Sequence, residues 1–231
     1  PGHSSAASDV YKRQSSACSN TWNKNLCKTI LNENSINTPN SILLNNLKNC
    51  SNNPFDCFEK KFGYKPNLFM KPCEDGSSID IFKISNDEDY KKAKLNCLNL
   101  EREFIFEESI EGREFTVTII GNKCYPVIEI KTQNDFYDYD AKYISDDTIL
   151  DQAKLSDNEL NIINDIALRT FHALKCSGWA RVDIIQDING NFNVIEINTV
   201  PGMTSHSCVP KSASFMGLSY QDVIKEILSN V

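Results

Sequence analysis

The sequence predicts an α+β protein built from two subdomains. Helical and strand patterns interleave along the chain, tight turns join the strands into antiparallel hairpins, and 231 residues are enough for two small cores. We expect one subdomain over residues 15–108 and a second over residues 109–231, with the boundary near residues 108–112. Residues 1–14 are small, polar and aperiodic, and we expect a non-native or disordered leader there.

Two helices and two strands are predicted first. Apolar residues four apart indicate a helix over Thr21–Asn34, and a short amphipathic run indicates another over Phe55–Phe62, ended by Gly63. Short apolar runs then predict strands over Leu68–Met70 and Ile79–Ile84.

A capping signal opens the next helix. Ser85–Glu88 has the spacing of a capping box, which predicts a helix ending near Leu100. Apolar runs then predict three strands, and the turn Gly121-Asn122 joins the last two. The three strands are Glu103–Glu108, Glu114–Ile120 and Cys124–Lys131.

The second subdomain continues with a long loop and a long helix. Thr132–Leu155 is polar, aromatic-rich and without a clear period, which is typical of a functional lid or binding loop. Ser156–Glu159 is a second capping box and predicts a helix to about Lys175. Two strands and a last amphipathic helix follow. These elements are Trp179–Gln186, Phe192–Asn198 and Tyr220–Ser229.

Composition excludes two classes of function. The net charge is -7 and the pI is near 5.1, so the chain lacks the positive field with which proteins bind nucleic acid. No apolar run approaches the ~20 residues of a transmembrane helix, so an integral membrane protein is excluded. The nine cysteines are odd in number and include no C-x-x-C pair. This predicts free thiols in a reducing compartment, the cytoplasm.

A hairpin near the carboxyl end carries the most informative candidate site. Side chains on a strand alternate between faces, so Arg181 shares a face with Asp183, and Glu196 shares one with Asn198. If the hairpin closes at Asn189-Gly190, these four side chains can lie together on one face. Two carboxylates and an amide oxygen suit Mg²⁺, which takes few protein ligands and completes its shell with phosphate and water. A solvated face of an exposed hairpin is the alternative interpretation.

The loop after this hairpin has groups that suit anions. Gly202 follows a proline and permits a tight turn, close approach of the backbone to a ligand, and donation of its N–H to an oxyanion. Ser205 and Ser207 offer short donors for a carboxylate, and an ordinary hydrophilic turn is the alternative. His206 is a candidate base, although a structural histidine is the more common case.

A Gly/Ser-rich loop follows the strand that leads into Lys71. Backbone N–H groups of such loops bind phosphate, and the lysine adds a positive charge. Lys24 and Lys142 are further candidate cations, and a solvated surface position is the alternative for each of the three.

Four stretches together resemble the D-alanine–D-alanine ligases of the ATP-grasp superfamily. Residues 179–210, which include the run Glu-Ile-Asn-Thr-Val-Pro-Gly from Glu196, are similar to the family's C-terminal signature. Residues 136–143 resemble its substrate-covering loop, residues 107–117 its adenine hinge, and residues 71–78 its phosphate-covering loop. The resemblance implies an ATP-grasp fold with the nucleotide sandwiched between antiparallel sheets. It also implies a preceding N-terminal domain, to which nothing in this chain corresponds.

The resemblance assigns site residues by position. The magnesium ligands are Asp183, Glu196 and Asn198. The nucleotide contacts are Lys24, Lys71, Glu107, Glu108, Ile110 and Glu114. The catalytic set comprises Arg181 and the Gly202 N–H as oxyanion stabilisers, Ser77 and Tyr143 as a loop-closing pair, and Lys142 near the transferred phosphate. The second substrate's carboxylate is matched to Ser207 and Cys208, and Lys142 is also matched to a substrate carboxylate.

The implied activity is the ATP-dependent joining of two D-alanines through an acyl phosphate, with Mg²⁺ or Mn²⁺, for peptidoglycan precursors in the cytoplasm. The full-length protein is expected to be a homodimer with small-molecule substrates and no nucleic-acid or membrane partner. A ligase that uses D-lactate or D-serine, or a non-catalytic ATP-binding remnant, is the alternative. The chain departs from the family at Asp80, where glycine is usual, at Glu108, where lysine is frequent, and at Cys208, where leucine is common.

Overall fold

The computed structural model describes residues 16–74, 80–131, 149–204 and 206–230. The chain forms two compact units. Unit 1 is built mainly from Leu26–Thr38 and the chain from Glu111 onward, and unit 2 is Trp22–Asn25 with Pro39–Ile110. The predicted leader, residues 1–14, lies outside the described residues. Within the described part, every helix is too short or too polar to span a bilayer.

Unit 2 is a four-stranded antiparallel sheet with two helices. The sheet order is β1-β4-β2-β3, and its core is one cluster of aliphatic and aromatic side chains around the fully buried Phe58, Leu68 and Phe104. The helix α1 (Lys24–Glu33) precedes this sheet and belongs to unit 1 from Leu26 onward. The elements of unit 2 in chain order are β1 (Ser41–Asn45), α2 (Pro54–Phe62), β2 (Leu68–Pro72), β3 (Phe82–Ile84), α3 (Asp87–Asn96) and β4 (Glu103–Glu108).

Local signals explain the ends of the helices in unit 2. The Asn53 side chain accepts from the first turn of α2, and Gly63 ends that helix in the left-handed conformation at φ 85°, which glycine adopts without strain. The residue that caps α3 is Asn86, whose side chain accepts from the Glu88 and Asp89 amides. The capping box predicted from Ser85 is therefore wrong by one residue.

Unit 1 is an antiparallel sheet in the order β10-β9-β5-β7-β8, and the short β6 pairs with β5. The elements are β5 (Gly112–Ile120), β6 (Lys123–Cys124), β7 (Ile128–Lys131), β8 (Ile149–Gln152), α4 (Asp157–Ala173), β9 (Trp179–Asp187), β10 (Phe192–Asn198), α5 (Cys208–Ser214) and α6 (Tyr220–Ser229). The predicted capping box at Ser156 and Glu159 is confirmed at the start of α4.

One face of the unit 1 sheet is apolar and forms the main core. The helix α4 places Ile163, Ala167 and Phe171 against it, at spacings of four residues, and Phe115 and Val182 come from the strands. Because side chains alternate along a strand, the residues on either side of Phe115 in β5 point to the opposite face of the sheet. The opposite face is polar over part of β5, β9 and β10, and that is where the candidate site lies.

A glycine allows β5 and β9 to approach closely. A Cβ added at Gly112 would lie 1.8 Å from the Gln186 carbonyl oxygen, which is a backbone atom of the neighbouring strand. Any side chain at this position would have to push the two strands apart.

The division of the chain differs from the prediction in one respect. The change of unit after Ile110 is close to the predicted boundary, but residues 16–21 and 26–38 belong with the carboxyl-terminal part. Leu31 and Ile36 explain this assignment, because both are buried in the unit 1 core. Of the elements named above, β1, β8 and α5 were not predicted, and the single predicted strand Cys124–Lys131 is two strands.

Candidate functional site

The polar face of unit 1 brings the predicted metal ligands together. In the register of β9 and β10, Glu196 is directly opposite Asp183, and Asn198 is directly opposite Arg181. Across the other edge of β9, Thr116 of β5 is opposite Asp183. Directly opposed residues of an antiparallel pair have side chains on the same face about 5 Å apart. The alternative of an exposed, solvated hairpin does not hold for Asp183, which is only 5% exposed.

The carboxylate of Asp183 is held by three hydrogen bonds. Arg181 donates from Nε to Oδ1 at 2.9 Å and from a terminal nitrogen to Oδ2 at 2.7 Å, and the Thr116 hydroxyl donates to Oδ1 at 2.6 Å. Burial alone would lower the pKa of Arg181, but the adjacent Asp183 charge outweighs it and raises that pKa above its usual value. The guanidinium is therefore a fixed positive charge at this face, and two of its five N–H donors are used by Asp183.

Thr116 is a site residue that the sequence analysis did not identify. Its residue exposure is 1%, and its hydroxyl makes the shortest of the three bonds to Asp183. The alternation of β5 indicates its orientation, since Thr116 is two residues from the predicted site residue Glu114 and lies on the same face. Its significance depends on the register with β9, which the sequence does not show.

The donor chemistry of this face fits a small divalent cation. Asp183 and Glu196 supply carboxylate oxygens, and the Asn198 Oδ1 accepts one hydrogen bond from the Val200 amide at 3.0 Å, which orients the side chain. An amide oxygen has two lone pairs, so that bond leaves it able to act as a ligand. Among the described residues there is no group of three or more His, Cys, Asp or Glu that could hold a metal. Two carboxylates with one amide suit a cation that also binds phosphate and water.

The loop after β10 brings two predicted residues together. A Cβ at Gly202 would lie 2.9 Å from the Ser207 Oγ. That hydroxyl accepts from the Thr204 amide at 3.0 Å, and it also lies 2.9 Å from the Thr204 hydroxyl. The Cys208 side chain is 3% exposed and packs against Ile128. A substrate contact at position 208 would therefore use the backbone.

In unit 2 the two predicted phosphate lysines lie near the end of β2. The Lys71 ammonium forms an ion pair with Glu107, and both side chains are largely buried, at 12% and 5% exposure. The ammonium also lies 5.1 Å from the centre of the Phe69 ring. The Lys24 amide donates to the Cys73 carbonyl at 2.9 Å. These contacts give unit 2 a fixed cation beside a fixed carboxylate.

The predicted hinge residues are divided between the units. Glu107, Glu108 and Ile110 belong to unit 2, and Glu114 to unit 1. The Glu108 carboxylate accepts from the Asn40 amide at 2.7 Å and from the Tyr64 hydroxyl. Burial, with the Glu108 charge, raises the pKa of Tyr64, so the phenol stays a donor. The side chain that replaces the family's frequent lysine is thus anchored within unit 2.

A second departure from the family has a backbone explanation. Asp80 has φ 56°, in the left-handed region that glycine adopts without strain and that aspartate tolerates. Its buried carboxylate pairs with Arg102 and accepts from the Leu98 amide at 3.1 Å. These bonds stabilise the conformation that glycine would adopt freely.

Three predicted site residues and one further candidate donor for a carboxylate lie outside the described residues. They are Ser77, Lys142, Tyr143 and Ser205.

Comparison with known proteins identifies the family. A family model described as "D-ala D-ala ligase C-terminus" matches residues 30–229. A D-alanine–D-alanine ligase from Mannheimia succiniciproducens is 39% identical over 162 residues, and one from Marinomonas sp. is 40% identical over 178 residues. These alignments cover 70% and 76% of this chain but 53% and 56% of the relatives. The chain thus spans about half the length of the curated relatives it matches.

Solved structures agree on the fold. A D-alanine–D-alanine ligase from Bacillus anthracis complexed with ATP matches with a TM-score of 0.76 at 28% identity, over 92% of this chain and 66% of that chain. The VanG D-Ala:D-Ser ligase from Enterococcus faecalis matches with a TM-score of 0.75 at 26% identity, over 90% and 61%. The fold is therefore of the ATP-grasp class, as predicted. The chain belongs to the D-alanine–D-alanine ligase family.

Proposed function

We propose that this chain is part of a ligase that joins two D-alanines at the expense of ATP, for peptidoglycan precursors. The observation that carries the proposal is the grouping of Asp183, Glu196, Asn198 and Arg181 on one face of the unit 1 sheet. Phosphoryl transfer needs positioned positive charge and metal ligands in place of a covalent nucleophile, and this set provides both.

The groups of unit 2 are assigned to the nucleotide. A fixed ammonium such as that of Lys71 suits a phosphate oxygen, and we assign Lys24 the same task. The carboxylate of Glu107 suits the exocyclic amine of adenine, while the backbone near Glu108 and Ile110 suits the ring edge. The buried ion pair of Lys71 with Glu107 supports this assignment, because it holds both groups in defined orientations.

The chemistry proceeds in two steps. A carboxylate is a poor electrophile, so the carboxylate of one D-alanine first attacks the γ-phosphorus of ATP, which forms an acyl phosphate and releases ADP. The amine of the second D-alanine then attacks the acyl phosphate, and phosphate leaves. Attack creates a tetrahedral oxyanion, and we assign its stabilisation to Arg181 and the Gly202 N–H. Loss of one such donor typically lowers the rate by about 100- to 1,000-fold.

A divalent cation fits the first of these steps. Asp183, Glu196 and Asn198 would hold Mg²⁺ or Mn²⁺, which would neutralise charge on the transferred phosphate. The residues around it orient these ligands: Thr116 and Arg181 hold Asp183, and the Val200 amide holds Asn198.

Ser207 and the Cys208 backbone are assigned to the carboxylate of the second amino acid. Lys142, Ser77 and Tyr143 keep the roles that the resemblance implies, near the transferred phosphate and over the substrate. The full-length protein is proposed to be a cytoplasmic homodimer, and the nine free cysteines support a reducing compartment. Light scattering of the full-length gene product would test the dimer.

The test measures turnover of the full-length gene product with Mg²⁺ and ATP. Phosphate release is followed with D-alanine alone and with D-alanine plus D-lactate or D-serine, and the dipeptide or depsipeptide is identified by mass spectrometry. We expect D-alanyl-D-alanine as the main product. A preferred D-lactate or D-serine product would assign the chain to that alternative instead.

Two variants sharpen this test. Asp183→Asn removes a proposed metal ligand and should abolish product formation while ATP still binds. Asp151→Asn changes an exposed carboxylate on β8 that pairs only at the surface with Lys131 at 3.2 Å, and it should leave turnover unchanged. Near-normal turnover in Asp183→Asn would contradict the assignment, and ATP binding without turnover in the unmodified protein would favour the non-catalytic remnant.

A further inference from the structure

An irregularity in β10 determines which face Glu196 occupies. The register pairs Val194 with Ile184 but Glu196 with Asp183, so one extra residue is accommodated between Val194 and Glu196. If the pairing of Val194 continued without this bulge, Glu196 would be opposite Val182. Val182 is fully buried in the apolar core, so a shift of one residue would turn Glu196 to the wrong face.

The residue before the bulge is clamped from outside the hairpin. β10 is an edge strand of its sheet, and its outward backbone groups at Val194 are paired with the segment that follows α1. The Val194 amide donates to the Asn37 carbonyl at 2.8 Å, and the Thr38 hydroxyl donates to the Val194 carbonyl at 2.8 Å. Both backbone groups of this residue are therefore fixed by Asn37 and Thr38.

A buried lysine completes the clamp. The Lys28 residue is 4% exposed, and its ammonium donates to the Thr38 Oγ1 at 2.7 Å. The hydroxyl has one proton, which it gives to the Val194 carbonyl, so it receives the lysine on a lone pair. The positive charge of the lysine polarises the hydroxyl and so strengthens its hydrogen bond to the Val194 carbonyl. Burial of an ammonium is unfavourable, and here the charge directs one hydroxyl onto the strand that carries Glu196.

We infer that Lys28 and Thr38 are positioning residues for the proposed metal site. They hold the bulge of β10 in the register that places Glu196 opposite Asp183. The inference rests on the proposed function in one respect, since it takes Glu196 as a ligand of a divalent cation. Neither residue touches the substrate in this account, because both act through the backbone of Val194.

The test removes the Thr38 hydroxyl and keeps its shape. Thr38→Val should weaken binding of Mn²⁺ in the presence of a non-hydrolysable ATP analogue by about 10-fold, the low end of the loss that is typical when groups orienting a metal ligand are removed. Thr38→Ser retains the hydroxyl and should bind Mn²⁺ like the unmodified protein. Binding is measured by electron paramagnetic resonance of free Mn²⁺, so it does not depend on turnover.

A second measurement reports on the bulge itself. Hydrogen exchange of the Val194 amide and its neighbours should accelerate in Thr38→Val and in Lys28→Met, and stay slow in Thr38→Ser. The control is Thr170→Val, which makes the same change at a fully buried threonine of unit 1. Its hydroxyl has no hydrogen-bond partner among the described residues. It should alter neither Mn²⁺ binding nor exchange at β10.

The outcomes separate the inference from the proposed function. Lower thermal stability of Thr38→Val with unchanged Mn²⁺ affinity would show a purely structural role and overturn the inference, as would unchanged exchange at the bulge. Mn²⁺ binding that depends on Thr38 in a protein without D-alanine ligation would support the inference and reject only the proposed function. No Mn²⁺ binding by the unmodified protein would overturn both.

Discussion

Replacing Thr116 with valine would remove one hydrogen bond from Asp183 and keep the shape of the side chain. The Thr116 hydroxyl donates to the Asp183 Oδ1 at 2.6 Å, and both residues are buried, at 1% and 5% exposure. A hydrogen bond to a charged group typically contributes about 1.5–3 kcal/mol. Since Arg181 keeps two bonds to the same carboxylate, we expect the low end, about 1.5 kcal/mol, which corresponds to about 3–6 °C in Tm for a chain of this size.

The assay is thermal unfolding of Thr116→Val and Thr116→Ser, each alone and combined with Asp183→Asn. Serine keeps the donor and should recover most of the loss. In the Asp183→Asn background the partner is neutral, and the effect of Thr116→Val should shrink to about 0.5–1 kcal/mol. An equal loss in both backgrounds would refute the reasoning, because the stabilisation would then come from packing and not from the bond to the carboxylate.

Two further predictions concern the frame around the site. Gly112→Ala should lower the free energy of unfolding by about 1–3 kcal/mol in denaturant titrations, because its Cβ would meet the Gln186 backbone. Gly202→Ala should lower it less, because among the described residues its Cβ would meet only the Ser207 side chain. Equal losses would contradict this reasoning. Hydrogen bonds from the Ser156 amide and hydroxyl hold the pKa of Glu159 at about 2, below its usual 4.5. The unfolded state binds the proton more readily, so this stabilisation is complete above about pH 5 and is lost as pH falls toward 2. The difference in Tm between the unmodified protein and Glu159→Gln should shrink over that range, and a constant difference down to pH 2.5 would be inconsistent with the capping bond.

Elements with strong local signals were predicted well. The structure has strands Glu103–Glu108 and Phe192–Asn198 and helix Tyr220–Ser229 with the bounds that were predicted. The strand β1 was missed because its five residues adjoin an Asn-rich stretch, and its partner β4 is about sixty residues away in sequence. The helix α5 was missed because it is short, contains a proline and has small polar residues in place of an apolar stripe.

The candidate site shows where local patterns end. Alternation predicts that Glu196 and Asn198 share a face, and the Asn-Gly turn predicts the hairpin, both of which the structure has. The loop, however, closes with the Asp187 amide on the Asn191 carbonyl, a register one residue away from that of a two-residue turn. The bulge before Glu196 restores the pairing with Asp183. Two compensating shifts are invisible in a periodic pattern, because each depends on backbone contacts.

Lys28 illustrates a different difficulty. In sequence it is one of two lysines on an amphipathic helix, and a solvated position is the usual expectation for that residue type. Its burial follows from the segment that ends at Thr38, which returns to pair with β10. The burial of this lysine depends on the long-range path of the chain, which the helix pattern does not contain.

The segment 39–110 has its two ends side by side. Ser41 is opposite Glu107 in the pairing of β1 with β4, and the Glu108 amide donates to the Asn40 carbonyl at 2.9 Å. All members of its hydrophobic cluster come from within the segment. A stretch with adjoining ends and a core of its own has the properties of an inserted domain. We expect that it can be replaced by a short linker, or inserted into a surface loop of another protein together with the contacts it receives from Trp22–Asn25.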